Sequence, residues 1–135
     1  MEHQNTKTVQ RLAVRDLLRR AQARNQAGVR TRRMNGTRLS GRPFTGLEKV
    51  AVWLKANPIP GRDMRLWRQD TCGAYMHWNE YGNTNSQFGW EVDHIFPVAR
   101  GGNDVLDNLQ ALHWQNNRSK ADGVGVNYCA VTYRG

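Results

Sequence analysis

The sequence predicts an α+β fold: two short antiparallel strands followed by a helix, preceded by helices and a basic N-terminal arm. Three observations carry this prediction. Arginine is concentrated in the first third of the chain. Two stretches of helical periodicity occur before residue 70. After Cys72 the texture changes to strand-like segments divided by turn-rich loops, closing on one more helical stretch. The implied organisation is a basic helix and arm over 1–44, a helical segment over 45–69 that packs on the core, and the core itself over 70–135.

With 135 residues the chain can bury one modest core, or a smaller core plus an extended arm. Its longest apolar run, Val50 to Leu54, is far below the roughly 20 residues of a membrane-spanning helix. Met1-Glu2-His3-Gln4-Asn5 is polar, and no apolar stretch with a small-residue cleavage site follows it. A cytoplasmic protein without a membrane partner is therefore expected. The net charge is +9 and the pI about 10.4, which points to a polyanion as partner. Residues 1–50 hold 12 Lys and Arg against 3 Asp and Glu, whereas residues 51–135 hold 8 of each. All of the excess thus lies in the first 50 residues, as in a basic arm joined to a neutral module.

Between Thr6 and Gln26, Val9, Leu12, Ala13 and Leu17 recur at helical spacing, with Arg11, Arg15 and Arg19 along another face. An amphipathic helix with a cationic side, closed by Gly28, is expected. Val29 to Pro43 has no periodicity and carries Arg30, Arg32, Arg33, Arg38 and Arg42, which suggests a mobile linker or an arm that orders on phosphates. Thr45-Gly46-Leu47-Glu48 reads as a capping box starting a second helix at Gly46, with Leu47, Val50, Ala51 and Leu54 on one face. Asn57-Pro58-Ile59-Pro60-Gly61 ends it. A third short helix is expected over Asp63 to Gln69. Ala74 to Trp78 and Gln87 to Ile95 then read as a hairpin with a long loop. Leu109 to His113 reads as a strand, Trp114 to Ala121 as a helix, and Val124 to Tyr133 as a final edge strand.

Chemistry concentrates between Val92 and Lys120. Phosphodiester hydrolysis needs a base to activate water and a hard cation to stabilise charge on the phosphate and the leaving oxygen. Asp93 and Asn117 offer oxygens of the kind Mg²⁺ takes, and His94 supplies an imidazole that can serve as base. Strand alternation sends Asp93 and His94 to opposite faces, so both reach one site only if the strand bends at His94. The following Pro97 makes such an end to pairing reasonable.

The run Asp93-His94-Ile95-x-Pro97, Gly101-Gly102, Asn108-Leu109 and Asn117-Arg118-Ser119-Lys120 resembles the HNH endonucleases, whose core is the ββα-metal, or His-Me finger, motif. The resemblance covers about residues 90–122 and implies a metal-dependent endonuclease leaving 5′-phosphate and 3′-hydroxyl ends. It implies that Asp93 and Asn117 bind the metal, Mg²⁺ or Mn²⁺, that His94 is the general base, and that Asn108 holds the loop and orients the histidine. The last motif position is Asn, where other members of the family have His. Glu91 shares the strand face of Asp93 and is expected either just behind the metal or as a solvated carboxylate. Arg118 and Lys120 are expected near phosphates, and Arg15, Arg19, Arg30, Arg32 and Arg33 along the nucleic-acid backbone.

Many relatives hold a zinc between two Cys-x-x-Cys pairs. Here only Cys72 and His113 stand at the corresponding places, so structural zinc is not expected; a contact between these two side chains is the alternative left open. Packing by Trp78, Trp90 and Trp114 would then hold the core. DNA, with RNA as an alternative, is the expected partner of a monomer with weak or no sequence specificity. Two further readings are a non-catalytic DNA-binding module on the same scaffold, and a toxin or effector nuclease with an immunity partner.

Overall fold

The computed structural model describes residues 33–125 and 127–132. The expected helix over 6–26, with Arg15 and Arg19, lies outside the described residues, as do Arg30 and Arg32 of the stretch that follows it.

Helix α1 spans Gly46–Trp53 and begins at the capping box read from the sequence. Thr45 Oγ1 accepts from the Glu48 amide at 3.2 Å, and the Glu48 carboxylate accepts from the Thr45 amide at 3.0 Å. The buried side is Glu48, Ala51, Val52 and Trp53, which turns the helix away from the expected face. Leu47 and Leu54 are 41% and 59% exposed. Trp53 sets this rotation: its ring lies 4.8 Å from Trp90 and 5.6 Å from Trp78, and its Nε1 donates to Met64 O. Burying that one large ring outweighs burying two leucines at the helix ends. Glu48 tolerates burial because it caps the helix and faces Arg38 at 3.5 Å.

The Arg-rich stretch is folded where it is described. Thr37 bridges Pro43, Arg38 N donates to Arg42 O at 2.9 Å, and Leu39 N donates to both carboxylate oxygens of Asp104. Residues 33–43 are therefore a closed turn packed on the core, in place of the expected mobile arm. Arg38 is 7% exposed and is spent on Glu48.

Three short strands follow: β1 (Asn57–Pro58), β2 (Trp67–Gln69) and β3 (Tyr75–His77), antiparallel in the order β1-β2-β3. The helix expected over 63–69 does not form. Asp63 to Leu66 is a turn closed by bonds to Asp63 O, and Trp67 to Gln69 pair with β3. A helix this short closes few of its own bonds, so strand pairing wins. Strand β4 (Trp90–His94) pairs antiparallel with β5 (Leu109–His113), from Trp90 opposite His113 to His94 opposite Leu109. The expected hairpin between 74–78 and 87–95 is thus replaced by two ladders. They are joined by His77 N to Phe88 O and by a Tyr81–Trp90 bridge. Helix α2 (Trp114–Lys120) follows β5 directly. The described part of 124–133 contains no strand; it is fastened by bonds of Asn116 to Val131 and by a Cys72–Cys129 disulfide.

The elements form an α+β fold in which β4, β5 and α2 are the ββα unit. Trp90, Val92, Leu109 and Ala111 pack against Phe44, Val52, Trp53 and Met76. Trp90 is fully buried, Trp78 lies at the cluster's edge, and Trp114 donates to Ser86 O. Among the described residues no helix is long and apolar enough to cross a membrane.

Candidate active site

Pairing across the β4–β5 ladder puts Glu91 with Leu112 and Asp93 with Gln110 on the face opposite the apolar core. Helix α2 covers that face, and its polar side chains meet the two carboxylates. Lys120 Nζ lies 3.3 Å from Asp93 Oδ1 and donates to His94 O at 2.9 Å. Gln110 Nε2 donates to Asp93 Oδ2 at 2.9 Å. Burial pushes the Asp93 carboxyl above its ordinary value; Gln110, Lys120 and His94 oppose that shift without cancelling it. Asn117 Nδ2 donates to Glu91 Oε1 at 3.2 Å, an orientation that leaves the amide oxygen available as an acceptor. Arg118 grips the same Glu91 with both terminal nitrogens, at 2.7 and 3.3 Å.

His94 is the last residue of β4. Its Nε2 sits 2.7 Å from Asp104 Oδ1, with the histidine 3% exposed and the aspartate fully buried. A carboxylate at Nε2 favours the tautomer with the proton there, which leaves Nδ1 as the basic nitrogen. Phe44 packs beside the ring at 5.9 Å between centroids.

Asn108 fastens the loop between the strands. Its Oδ1 accepts from Phe96 N at 2.8 Å, while its Nδ2 donates to Phe96 O at 3.1 Å and to Asn103 O at 2.8 Å. The glycine pair has a matching cause. Gly101 has φ 99°, and a Cβ on Gly102 would stand 1.8 Å from Phe96 O. The loop that carries Asp104 can close under His94 only because these positions lack side chains.

Asp93, His94 and Asn117 all line one cavity of about 190 Å³, together with Arg33, Arg118 and Asp122. The problem set by strand alternation is solved by position: His94 ends the strand, so it and Asp93 can border the same space. Of the expected phosphate contacts, Arg33 and Arg118 line this cavity. Lys120 does not reach outward; it is 4% exposed and serves as counter-charge to Asp93. Glu91 stands behind Asn117 and Arg118, bonded to both. His77 and His113 are structural, each accepting through Nδ1 from a backbone amide two residues on.

Two residues of the site escaped the sequence reading. Asp104 closes a Gly-Gly-Asn-Asp stretch, and Gln110 falls within the strand expected over 109–113 with no role attached to it. The only available signal for Gln110 was its location opposite Asp93 once the register was drawn; none marked Asp104 as the histidine's partner.

Among the described residues no three His, Cys, Asp or Glu side chains cluster as a metal cage. The site instead offers one carboxylate and one amide oxygen, a set suited to a hard cation that keeps most of its water. At the place considered for zinc, Cys72 and His113 do not meet. Cys72 is bonded to Cys129, with Cα atoms 5.6 Å apart, and His113 Nε2 pairs with Gln87 O at 2.8 Å.

Residues 71–123 match the family described as HNH endonuclease, a segment running from the residue before Cys72 to just past α2. No curated protein and no solved structure shows significant similarity to the chain. The family is one of nucleases in general, so nuclease-type chemistry on a nucleic acid is the coarse functional assignment that the match carries.

Proposed function

From the HNH-family segment at residues 71–123, we propose that the chain is a metal-dependent endonuclease hydrolysing phosphodiester bonds of DNA with weak or no sequence specificity. The observation that carries this is the shared cavity of Asp93, His94 and Asn117, with Asp104 seated on His94 Nε2. Asp93 and Asn117 would hold Mg²⁺ or Mn²⁺, which when bound supplies charge stabilisation at the phosphate and the leaving oxygen. The chain's own residues do the rest. His94 Nδ1 takes the proton of the attacking water, and Asp104 holds the imidazole in position and stabilises it as it becomes charged. Glu91 turns the Asn117 amide so that its oxygen faces the cavity. Asn108 keeps the 96–108 loop, and with it Asp104, in register with β4. Arg33 and Arg118 supply positive charge for flanking phosphates.

The test is cleavage of supercoiled plasmid in Mg²⁺, Mn²⁺ and EDTA, with wild type beside His94→Ala. Metal-dependent nicking that falls at least about a hundredfold in the variant, with gel-shift binding retained, is the expected result. Equal cleavage by His94→Ala would overturn the mechanism. Binding without cleavage under any metal would identify a non-catalytic DNA-binding module.

One observation favours a second reading of where the enzyme acts. The Cys72–Cys129 bond is of a kind that persists in oxidising surroundings, which suits an effector nuclease released from its producer better than a cytoplasmic enzyme. Thiol titration of protein recovered from its native host under alkylating conditions decides between the two: free thiols return the protein to the cytoplasm.

A further inference from the structure

A second cavity, of about 740 Å³, adjoins the site and is not used by the mechanism above. The two spaces share Arg33, Asn35, Gly36 and Arg118 as a common wall. The small one has room for little more than a phosphate and a hydrated cation. The large one falls within the about 300–1,000 Å³ typical of small-molecule sites. Beyond the wall it is bordered by Met34, Tyr81 and Thr84. On the side nearest the site it is bordered by Arg33, Arg118 and the Glu91 carboxylate that holds Arg118, two cations against one anion, with 40% of the Arg118 side chain exposed. Further out the lining is uncharged, with Met34 75% exposed.

The wall is a built feature. Tyr81 Oη donates to Gly36 O at 3.3 Å, and the Cβ position of Gly36 lies 3.4 Å from the Glu91 side chain. Arg33 is tied back to Thr37 O at 2.9 Å. The 33–37 turn is thus fixed to the same glutamate that orients Asn117 and Arg118. This turn lies outside the HNH-family segment at 71–123, whereas Tyr81, Thr84, Glu91 and Arg118 lie within it, so one wall of the groove is supplied from beyond the matched segment.

We propose that the groove is a nucleotide subsite: it receives the nucleoside on one side of the scissile phosphate, with Arg33 and Arg118 at its mouth holding the phosphate between them. The inference rests on the nuclease reading. The sequence of charges favours this occupant. A nucleic-acid strand leaving the small cavity meets two guanidinium groups, then an uncharged space bordered by a thioether and a phenol ring, which matches phosphate followed by sugar and base. The lining beyond the wall is uncharged and offers little that distinguishes one base from another, in keeping with weak sequence preference.

The experiment uses the full-length protein and oligonucleotides whose cleavage position has been mapped, each carrying one abasic residue at a different place around the cut. The expected result is one-sided. An abasic residue immediately on one side raises KM about tenfold with kcat within threefold, and the same lesion on the other side changes neither. Thr84→Trp, which fills the groove without touching the polar site, should raise KM for intact substrate by a similar factor and leave the abasic substrate unchanged. KM within twofold for lesions on both sides overturns the subsite while leaving the nuclease standing. So does an equal effect of Thr84→Trp on intact and abasic substrates. Failure of wild type to cut any oligonucleotide in Mg²⁺ or Mn²⁺ overturns the nuclease reading itself, and the subsite with it.

Discussion

On one face of the β4–β5 ladder Trp90, Val92, Leu109 and Ala111 close against Phe44, Val52, Trp53 and Met76 without a charged partner in the cluster. On the other, Glu91 and Asp93 lie under α2, each 7% exposed or less and each answered by a cation, Arg118 for Glu91 and Lys120 for Asp93. Both faces are buried, but they spend burial differently. The apolar face gains stability from every ring removed from water. The polar face removes two carboxylates from water, and their partners only partly offset that cost. Stability is thus concentrated on one side of a single pair of strands, and reactivity on the other.

The largest expected effect comes from breaking the first face. Trp90→Ala should cost about 3–5 kcal/mol, since the indole is fully buried and touches Trp53, Trp78 and Tyr81. Denaturant unfolding measures this directly; a loss under 1 kcal/mol would mean that the aromatic cluster is not what holds the ladder.

Breaking the second face should behave differently, because its effect depends on pH. Lys120→Met removes the ammonium beside Asp93, leaving a buried carboxylate answered by Gln110 alone, at a cost of about 3 kcal/mol near neutrality. The sign follows from Asp93. Its carboxyl is already raised by burial in the folded protein, and losing Lys120 raises it further. Below the ordinary carboxylate value the group is protonated in both states and adds no cost. As pH rises through the interval up to the folded value, the unfolded chain ionises first and stability falls; above that interval the loss is complete. Lys120→Met also loses the bond to His94 O at every pH, so the two proteins should differ least near pH 4 and diverge toward pH 7. A gap of constant size across that range would show that Lys120 acts by packing rather than by charge.

The same contrast explains what the sequence could and could not reveal. The capping box at Thr45 and Glu48, the ββα order and the grouping of Asp93, His94 and Asn117 were legible, because each depends on local spacing or on a compact motif. The rotation of α1 was not, since Leu47 and Leu54 fit a helical stripe as well as Trp53 does, and only the three-ring cluster decides between them. The partner of β3 was also hidden, because a three-residue strand carries too little pattern to choose between β2 and β4. Lys120 looked like a surface cation at the end of a helix. Its burial depends on Asp93 being brought beneath it by the ladder, a tertiary fact that no window of sequence contains.

A smaller effect is expected where the two sides meet the chain's end. The Cys72–Cys129 bond closes a separation of 57 residues and anchors the tail whose Tyr128 Oη lies near Thr71 Oγ1 and Gln110 Nε2. Replacing both cysteines with serine should cost at least about 2 kcal/mol, mainly by freeing the unfolded chain. Because Gln110 also holds Asp93, cleavage should fall modestly as well, by a few-fold at most. Loss of stability with unchanged cleavage would separate the tail from the polar face altogether.

The smallest change tests whether the helix that buries Trp53 is itself held by its cap. Thr45→Ala deletes the hydroxyl that accepts from the Glu48 amide and leaves the return bond from Thr45 N to the Glu48 carboxylate in place. A loss of about 1 kcal/mol is expected. Cleavage should be unaffected, because α1 lies on the apolar side, away from Asp93 and Asn117. If stability instead drops as far as it does in Trp90→Ala, the cap is what keeps Glu48 and Arg38 paired in the interior, where Glu48 Oε2 and Arg38 Nε have no other partner among the described residues. The distinction is measurable by adding Glu48→Gln, which strands the buried Arg38 guanidinium: if the cap is what keeps the ion pair formed, this change costs clearly less in the Thr45→Ala background than in the wild type.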